Sequence, residues 1–65
     1  MNGKIVLKRP SKSKKFNIMF PKNIELNCFV DDEMRIFAEH PTDKNVYIRV
    51  SEFNIKSVVW NKSKI

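Results

Sequence analysis

Alternation with a period of two runs through the middle of the chain. In "IELNCFVD", Ile24, Leu26, Cys28 and Val30 alternate with Glu25, Asn27 and Phe29. In "MRIFAEH", Met34, Ile36 and Ala38 alternate with Arg35, Phe37 and Glu39, and "VYIRV" sets Val46, Ile48 and Val50 against Tyr47 and Arg49. Successive side chains of a strand point to opposite faces, so these stretches predict half-buried β-strands. "KIVLK" and "FNIMF" follow the same rule, with Ile5, Leu7, Phe16, Ile18 and Phe20 expected to face inward. "SEFN" predicts one 3-10 turn at residues 51–54 with Ser51 as its cap, and "IKSVVW" a last strand. Helical spacing is nowhere sustained beyond about one turn.

Turn-forming residues separate these runs. Pro10 with Ser11 and Ser13, Pro21-Lys22-Asn23, Asp31-Asp32-Glu33 and Pro41 to Asn45 are the punctuation. The chain has one glycine, Gly3, so positive-φ turn positions are expected at Asn or Asp. A loop of Asp31 to Glu33 would set Val30 opposite Met34 and Cys28 opposite Ile36. A loop of Pro41 to Asn45 would set Ala38 opposite Ile48 and Ile36 opposite Val50. Both registers gather the apolar partners on one face, which is the condition a half-buried sheet imposes.

The expected fold is therefore all-β: five or six short strands in an antiparallel meander that closes into a small barrel. In outline this resembles the SH3-like and Sm-like small barrels, and closure would remove the unpaired edges of an open sheet. One domain is expected over residues 1–65, with a basic flexible loop at 9–15 and a basic tail at 61–65.

Size makes the packing question acute. A chain of 65 residues buries only about 60% of its unfolded surface and is stabilised by a narrow margin. Cys28 is the only cysteine, so no internal disulfide assists, and a lone apolar-face cysteine fits a reducing compartment. The start "MNGKIVLKRP" lacks the apolar run of a secretory leader, and no stretch approaches the ~20 residues that span a bilayer. A cytoplasmic protein that does not enter membranes is the expectation. Lysine, asparagine and isoleucine supply 24 of the residues; their AT-rich codons suggest a phage or mobile-element accessory protein.

Charge changes the picture more than composition does. The net charge is +6, but residues 1–22 carry seven bases and no acid, and residues 23–54 carry three bases and seven acids. The densest stretch is "KRPSKSKKF". Lys8, Arg9, Lys12, Lys14 and Lys15 there, with Lys62 and Lys64 of the tail, are candidate contacts to the phosphates of DNA or RNA. Each such contact releases counterions. Lysine outnumbers arginine, which favours backbone contact of low specificity over bidentate reading of bases. A hydrophilic connector that keeps a small protein soluble is the competing explanation of the same residues.

The outward face of the meander offers a second candidate. The registers above place Phe29 beside Arg35, Phe37 between Asn27 and Arg49, Tyr47 opposite Glu39, and Glu25 opposite Glu39. Aromatic and arginine side chains together suit a protein interface or stacked single-stranded bases, and they also stabilise a sheet by simple cross-strand packing. The alternative to nucleic-acid binding is a protein-binding module or inhibitor that docks on a host enzyme or transcription component by this face, or by the acidic tip Asp31, Asp32 and Glu33. A homodimer that covers a strand edge is a third arrangement.

Catalysis finds little support. His40 is the only histidine and has no neighbouring nucleophile; it is expected near Ile24 and Val46. No Cys/His spacing for zinc and no glycine-rich phosphate loop occur, and the acidic tip suits a solvated turn better than a metal site. The expectation is a non-enzymatic protein without cofactor or metal.

Overall fold

The computed structural model describes residues 1–43 and 45–61. Among the described residues seven strands form: β1 (Asn2–Leu7), β2 (Ser11–Ser13), β3 (Ile18–Phe20), β4 (Glu25–Val30), β5 (Ile36–Glu39), β6 (Tyr47–Arg49) and β7 (Ile55–Trp60). Five of them make one antiparallel sheet in the order β6-β5-β4-β1-β7, and β2 and β3 pair as a separate two-stranded hairpin. The architecture is all-β as expected, with one strand more than the larger of the expected numbers. Among the described residues the ladder is open, with β6 at one edge and β7 at the other.

The alternation produces the core. Ile5 and Leu7 of β1, Leu26 and Cys28 of β4, Ala38 of β5, and Val46 and Val50 flanking β6 are buried together, and Phe20 of the hairpin joins them. Ile18, Ile36, Ile48, Ile55, Val58 and Trp60 pack against this cluster. The hairpin thus contributes to the core instead of standing off as a connector. Gly3 is required where β7 crosses β1. A β-carbon there would press on the Val59 carbonyl and lie 2.8 Å from Cε3 of Trp60. Lys56 forms a bulge on β7, since Val6 pairs with Ser57 and Leu7 with Ile55.

The 3-10 turn (Glu52–Asn54) forms where expected, with the Ser51 hydroxyl accepting the Phe53 N–H at 3.3 Å. Asn17 and Asn23 take positive φ, as the shortage of glycine requires, but so does Met34 at 66°. Met34 marks a register that differs from the expected one. The observed partners are Cys28 with Ala38, Phe29 with Phe37 and Val30 with Ile36, two residues away from the expected pairing. The loop is Asp32 to Met34, closed by the Asp31 N–H donating to the Arg35 carbonyl at 3.1 Å.

Asp31 explains the choice. Its Oδ1 accepts the N–H groups of Glu33 (3.0 Å) and Arg35 (2.9 Å), and its Oδ2 takes Arg35 Nε at 2.7 Å. That network needs Asp31 and Arg35 face to face across the loop mouth, and Met34 takes the left-handed position that a three-residue hairpin loop demands. A slip of two preserves which face each residue occupies, so the core survives the correction. Met34, expected inside, is 78% exposed. The β5–β6 register is as expected, with Ala38 opposite Ile48.

Two further inward assignments fail at strand ends. Phe16 lies in the hairpin turn and Ile24 precedes β4, so both are exposed. The stretch 9–15, expected as a loop throughout, contains β2, with Ser11, Lys12 and Ser13 paired to Phe20, Met19 and Ile18. Ser13 is buried, and its Oγ accepts the Phe16 N–H at 3.3 Å. That bond ties the turn to the strand.

Candidate functional site: a basic hairpin and an aromatic sheet face

The basic residues gather around the hairpin. Lys8 and Arg9 leave the end of β1, Lys12 sits on β2, and Lys14 and Lys15 enter the turn; all five are exposed. The approach is held to the 3-10 turn at its far side. The Lys8 N–H donates to the Asn54 carbonyl at 2.9 Å, the Arg9 N–H to Asn54 Oδ1 at 2.9 Å, and Asn54 Nδ2 returns a bond to the Arg9 carbonyl at 3.1 Å. The backbone under these charges is therefore positioned. None of the five forms an ion pair among the described residues, where the only bridges are those of Arg35. Lys62 and Lys64 lie outside the described residues.

His40 fastens the hairpin to the main sheet. Its Nε2 lies 3.1 Å from the Met19 carbonyl, and its ring meets Phe20 edge-on at 5.1 Å. A carbonyl only accepts, so Nε2 is the donor there, and Nδ1 accepts the Thr42 N–H at 3.3 Å. The expected neighbour Val46 is confirmed, its carbonyl accepting the His40 N–H at 2.8 Å; Ile24 is not in the ladder. The only histidine thus works as a fastener. Sequence pattern could not show this, because Met19 and His40 are 21 positions apart.

The outward sheet face differs from its expected layout in a definite way. Phe29 stacks on Phe37 (5.2 Å between ring centres, 18° between planes), and Tyr47 meets both edge-on at 5.5 and 6.1 Å. The two-residue shift removes Arg35 from beside Phe29, although Arg35 reaches over Phe37 at 6.0 Å. Phe37 lies between Phe29 and Arg49, not between Asn27 and Arg49. Tyr47 is opposite Glu39 as expected.

Glu25 does not face Glu39: it pairs with Val6, and Glu39 accepts from Asn27 Nδ2 at 3.4 Å. Lys4 in turn donates to Asn27 Oδ1. A Lys4–Asn27–Glu39 chain replaces the expected acidic pair, so the face carries less repulsion toward anions than the sequence register implied.

At the acidic tip, Arg35 lies 2.7 Å from Asp31 and 3.5 Å from Glu33. Hydrogen bonding, first from the Arg35 backbone N–H, holds the Asp31 carboxyl below the usual carboxylate range. Met34, Arg35, Arg49 and Phe53 border an open groove of about 560 Å³ beside the 3-10 turn. Burial pushes the Cys28 thiol up, which keeps it un-ionised and a poor nucleophile. Among the described residues no three His, Cys, Asp or Glu side chains come together to hold a metal ion, and no helix is long and apolar enough to cross a membrane.

No family model, curated protein or solved structure matches the chain.

Proposed function

We propose that this chain is a small, non-enzymatic basic β-protein that binds DNA or RNA through backbone charge, using Lys8, Arg9, Lys12, Lys14 and Lys15. One observation carries the reading. Five exposed cations share a hairpin and its hydrogen-bonded approach, with no acid among the described residues paired to any of them. Unpaired cations held on a positioned backbone suit phosphate contact, where binding is driven by counterion release. In this reading the five-stranded sheet curls into an SH3-like or Sm-like small barrel. The strand order, with β1 between β4 and β7, and the 3-10 turn that leads from β6 back to β7 support that closure. The composition suits a phage or mobile-element accessory protein working in the cytoplasm.

The test is the salt dependence of binding to a labelled DNA or RNA. Affinity should fall steeply with salt. Replacing Lys12, Lys14 and Lys15 together by Ala should lower the log–log slope by roughly 2, since each phosphate contact contributes ~0.7–0.9. A shallow slope that the triple variant leaves unchanged would refute the proposal.

A second reading rests on the stacked Phe29 and Phe37 with Tyr47 on the exposed sheet face. Flanked by Arg35, Arg49 and the tip Asp31, Asp32 and Glu33, it suits docking on a host protein. Salt-insensitive binding of one purified partner, lost in Phe37→Ala and kept in the triple lysine variant, would favour it.

A further inference from the structure

We propose that the β2–β3 hairpin binds single-stranded nucleic acid in preference to duplex, with Phe16 as the platform on which an unpaired base stacks. This inference rests on the nucleic-acid reading above and specifies its ligand.

Phe16 departs from the place its pattern predicts. By alternation it belongs with Ile18 and Phe20, yet it is 42% exposed while Phe20 is fully buried. The hairpin turn puts it there. Ser13 pairs with Ile18, leaving residues 14–17 as the turn; Ser13 Oγ accepts the Phe16 N–H at 3.3 Å, and Asn17 takes φ of 55°. Asparagine is among the few residues that adopt this conformation readily, so the turn is built to hold its shape. The aromatic ring at its end is thus presented on an ordered hairpin whose far side is seated in the core by Phe20 and His40.

The chemistry around the ring matches a nucleotide. Lys15 Nζ lies over the Phe16 ring, 5.4 Å from its centre, so a cation stands within reach of the phosphate of a base stacked on the part-exposed ring. On the neighbouring strands Lys12 pairs with Met19, and both are exposed. Cations beside an aromatic are the combination that single-strand binders use: charge follows the backbone, and stacking, which every base can supply, adds affinity without sequence preference. Duplex DNA hides its base faces and offers only phosphates and groove edges to such a tip.

Measuring anisotropy on a fluorescein-labelled oligothymidine and on a duplex of equal length tests this, with wild type, Phe16→Ala, Phe16→Leu and Phe16→Trp. The expected result is tighter binding of the single strand, weakened about tenfold by Phe16→Ala and Phe16→Leu and retained by Phe16→Trp. The salt slope should be the same in all four proteins, because no phosphate contact is removed. Urea midpoints close to wild type would show that each variant is folded; should Phe16→Ala unfold, the contrast between Phe16→Leu and Phe16→Trp decides alone.

Equal binding of single strand and duplex, indifferent to Phe16, would overturn this inference and leave phosphate binding intact. No binding of either would overturn both. An exposed phenylalanine among lysines also suits insertion into an anionic bilayer. Binding to phosphatidylserine vesicles that Phe16→Leu preserves, with single-strand affinity unaffected by any Phe16 change, would overturn the inference in favour of a lipid surface.

Discussion

The hairpin and the meander handle charge in opposite ways. On the β4–β5–β6 meander several charges are answered within the chain: Arg35 bridges Asp31 and Glu33, and Glu39 is reached through Asn27 by Lys4 of the adjoining β1. Around the β2–β3 hairpin the cations have no acidic partner among the described residues, and the hydrogen bonds there position backbone. Aromatics follow the same division. Phe29, Phe37 and Tyr47 contact one another, whereas Phe16 has a lysine beside it and solvent around it. A self-satisfied surface stabilises the fold. An unsatisfied but ordered one is where an external partner gains most, because the cost of ordering it has been met in folding.

The strongest test of that contrast asks whether the hairpin is an integral part of the fold. If it were only a polar connector, its apolar anchor could be trimmed at little cost. Phe20 is fully buried at the end of β3 and packs on the core and on His40. Phe20→Ala should therefore destabilise by ~3–5 kcal/mol, the range for a buried phenylalanine. In a domain this small that is enough to unfold most of the population. A urea melt or thermal scan checks it; a loss below about 1 kcal/mol would mean that the hairpin does not share the main core.

How much of this is legible in the sequence follows from the range of each determinant. Period-two alternation is local, so it places Ile5, Leu26, Cys28, Ala38 and Val50 correctly on one buried side. The Ser51 cap and the demand for positive-φ asparagines are also local, and both appear. Register is not local. It is settled by the Asp31 carboxylate gathering two N–H groups and the Arg35 side chain. A shift of two leaves the apolar pattern unchanged, so hydrophobicity carries no warning of it.

Strand ends are decided by turns, which is why alternation misplaces Phe16 and Ile24. The pairing of Ser11–Ser13 is hidden for a related reason: "SKS" has no apolar member, and its inward residue is a serine. The basic residues of the candidate site can be named from sequence. Their support by Asn54 and His40, from distant parts of the chain, cannot.

A smaller effect sharpens the comparison from the meander side. Removing Phe37 takes away the stack on Phe29, the edge contact of Tyr47 and the surface under Arg35. Aromatic pairs contribute ~0.5–1.5 kcal/mol each beyond their buried area. Phe37→Ala should therefore cost about 1–3 kcal/mol in a urea melt while leaving nucleic-acid affinity and its salt slope intact at temperatures where the variant is folded. Loss of binding by the folded variant would move the contact surface from the hairpin to the sheet.

The mildest expected effect concerns acid, and it isolates the self-satisfied charge of the meander. Hydrogen bonds from Arg35 and Glu33, together with the Arg35 charge, lower the Asp31 carboxyl in the folded protein. The unfolded state therefore binds the proton more readily than the folded state does. Stability from this group is present above the ordinary carboxylate pKa and is lost as pH falls through the lowered folded value. Asp31→Asn removes the titration but keeps Oδ1 as an acceptor for the Glu33 and Arg35 N–H groups, so the loop should form at neutral pH with Arg35 less firmly held. Chemical melts across the acid range should show a shallower decline for Asp31→Asn than for wild type, converging toward the lowest pH. The hairpin has no carboxylate, so Lys12→Ala should leave that acid limb where it is. An acid limb unchanged in Asp31→Asn would mean that the Asp31–Arg35 contact does not persist in solution, and the β4–β5 register would then need a different physical cause.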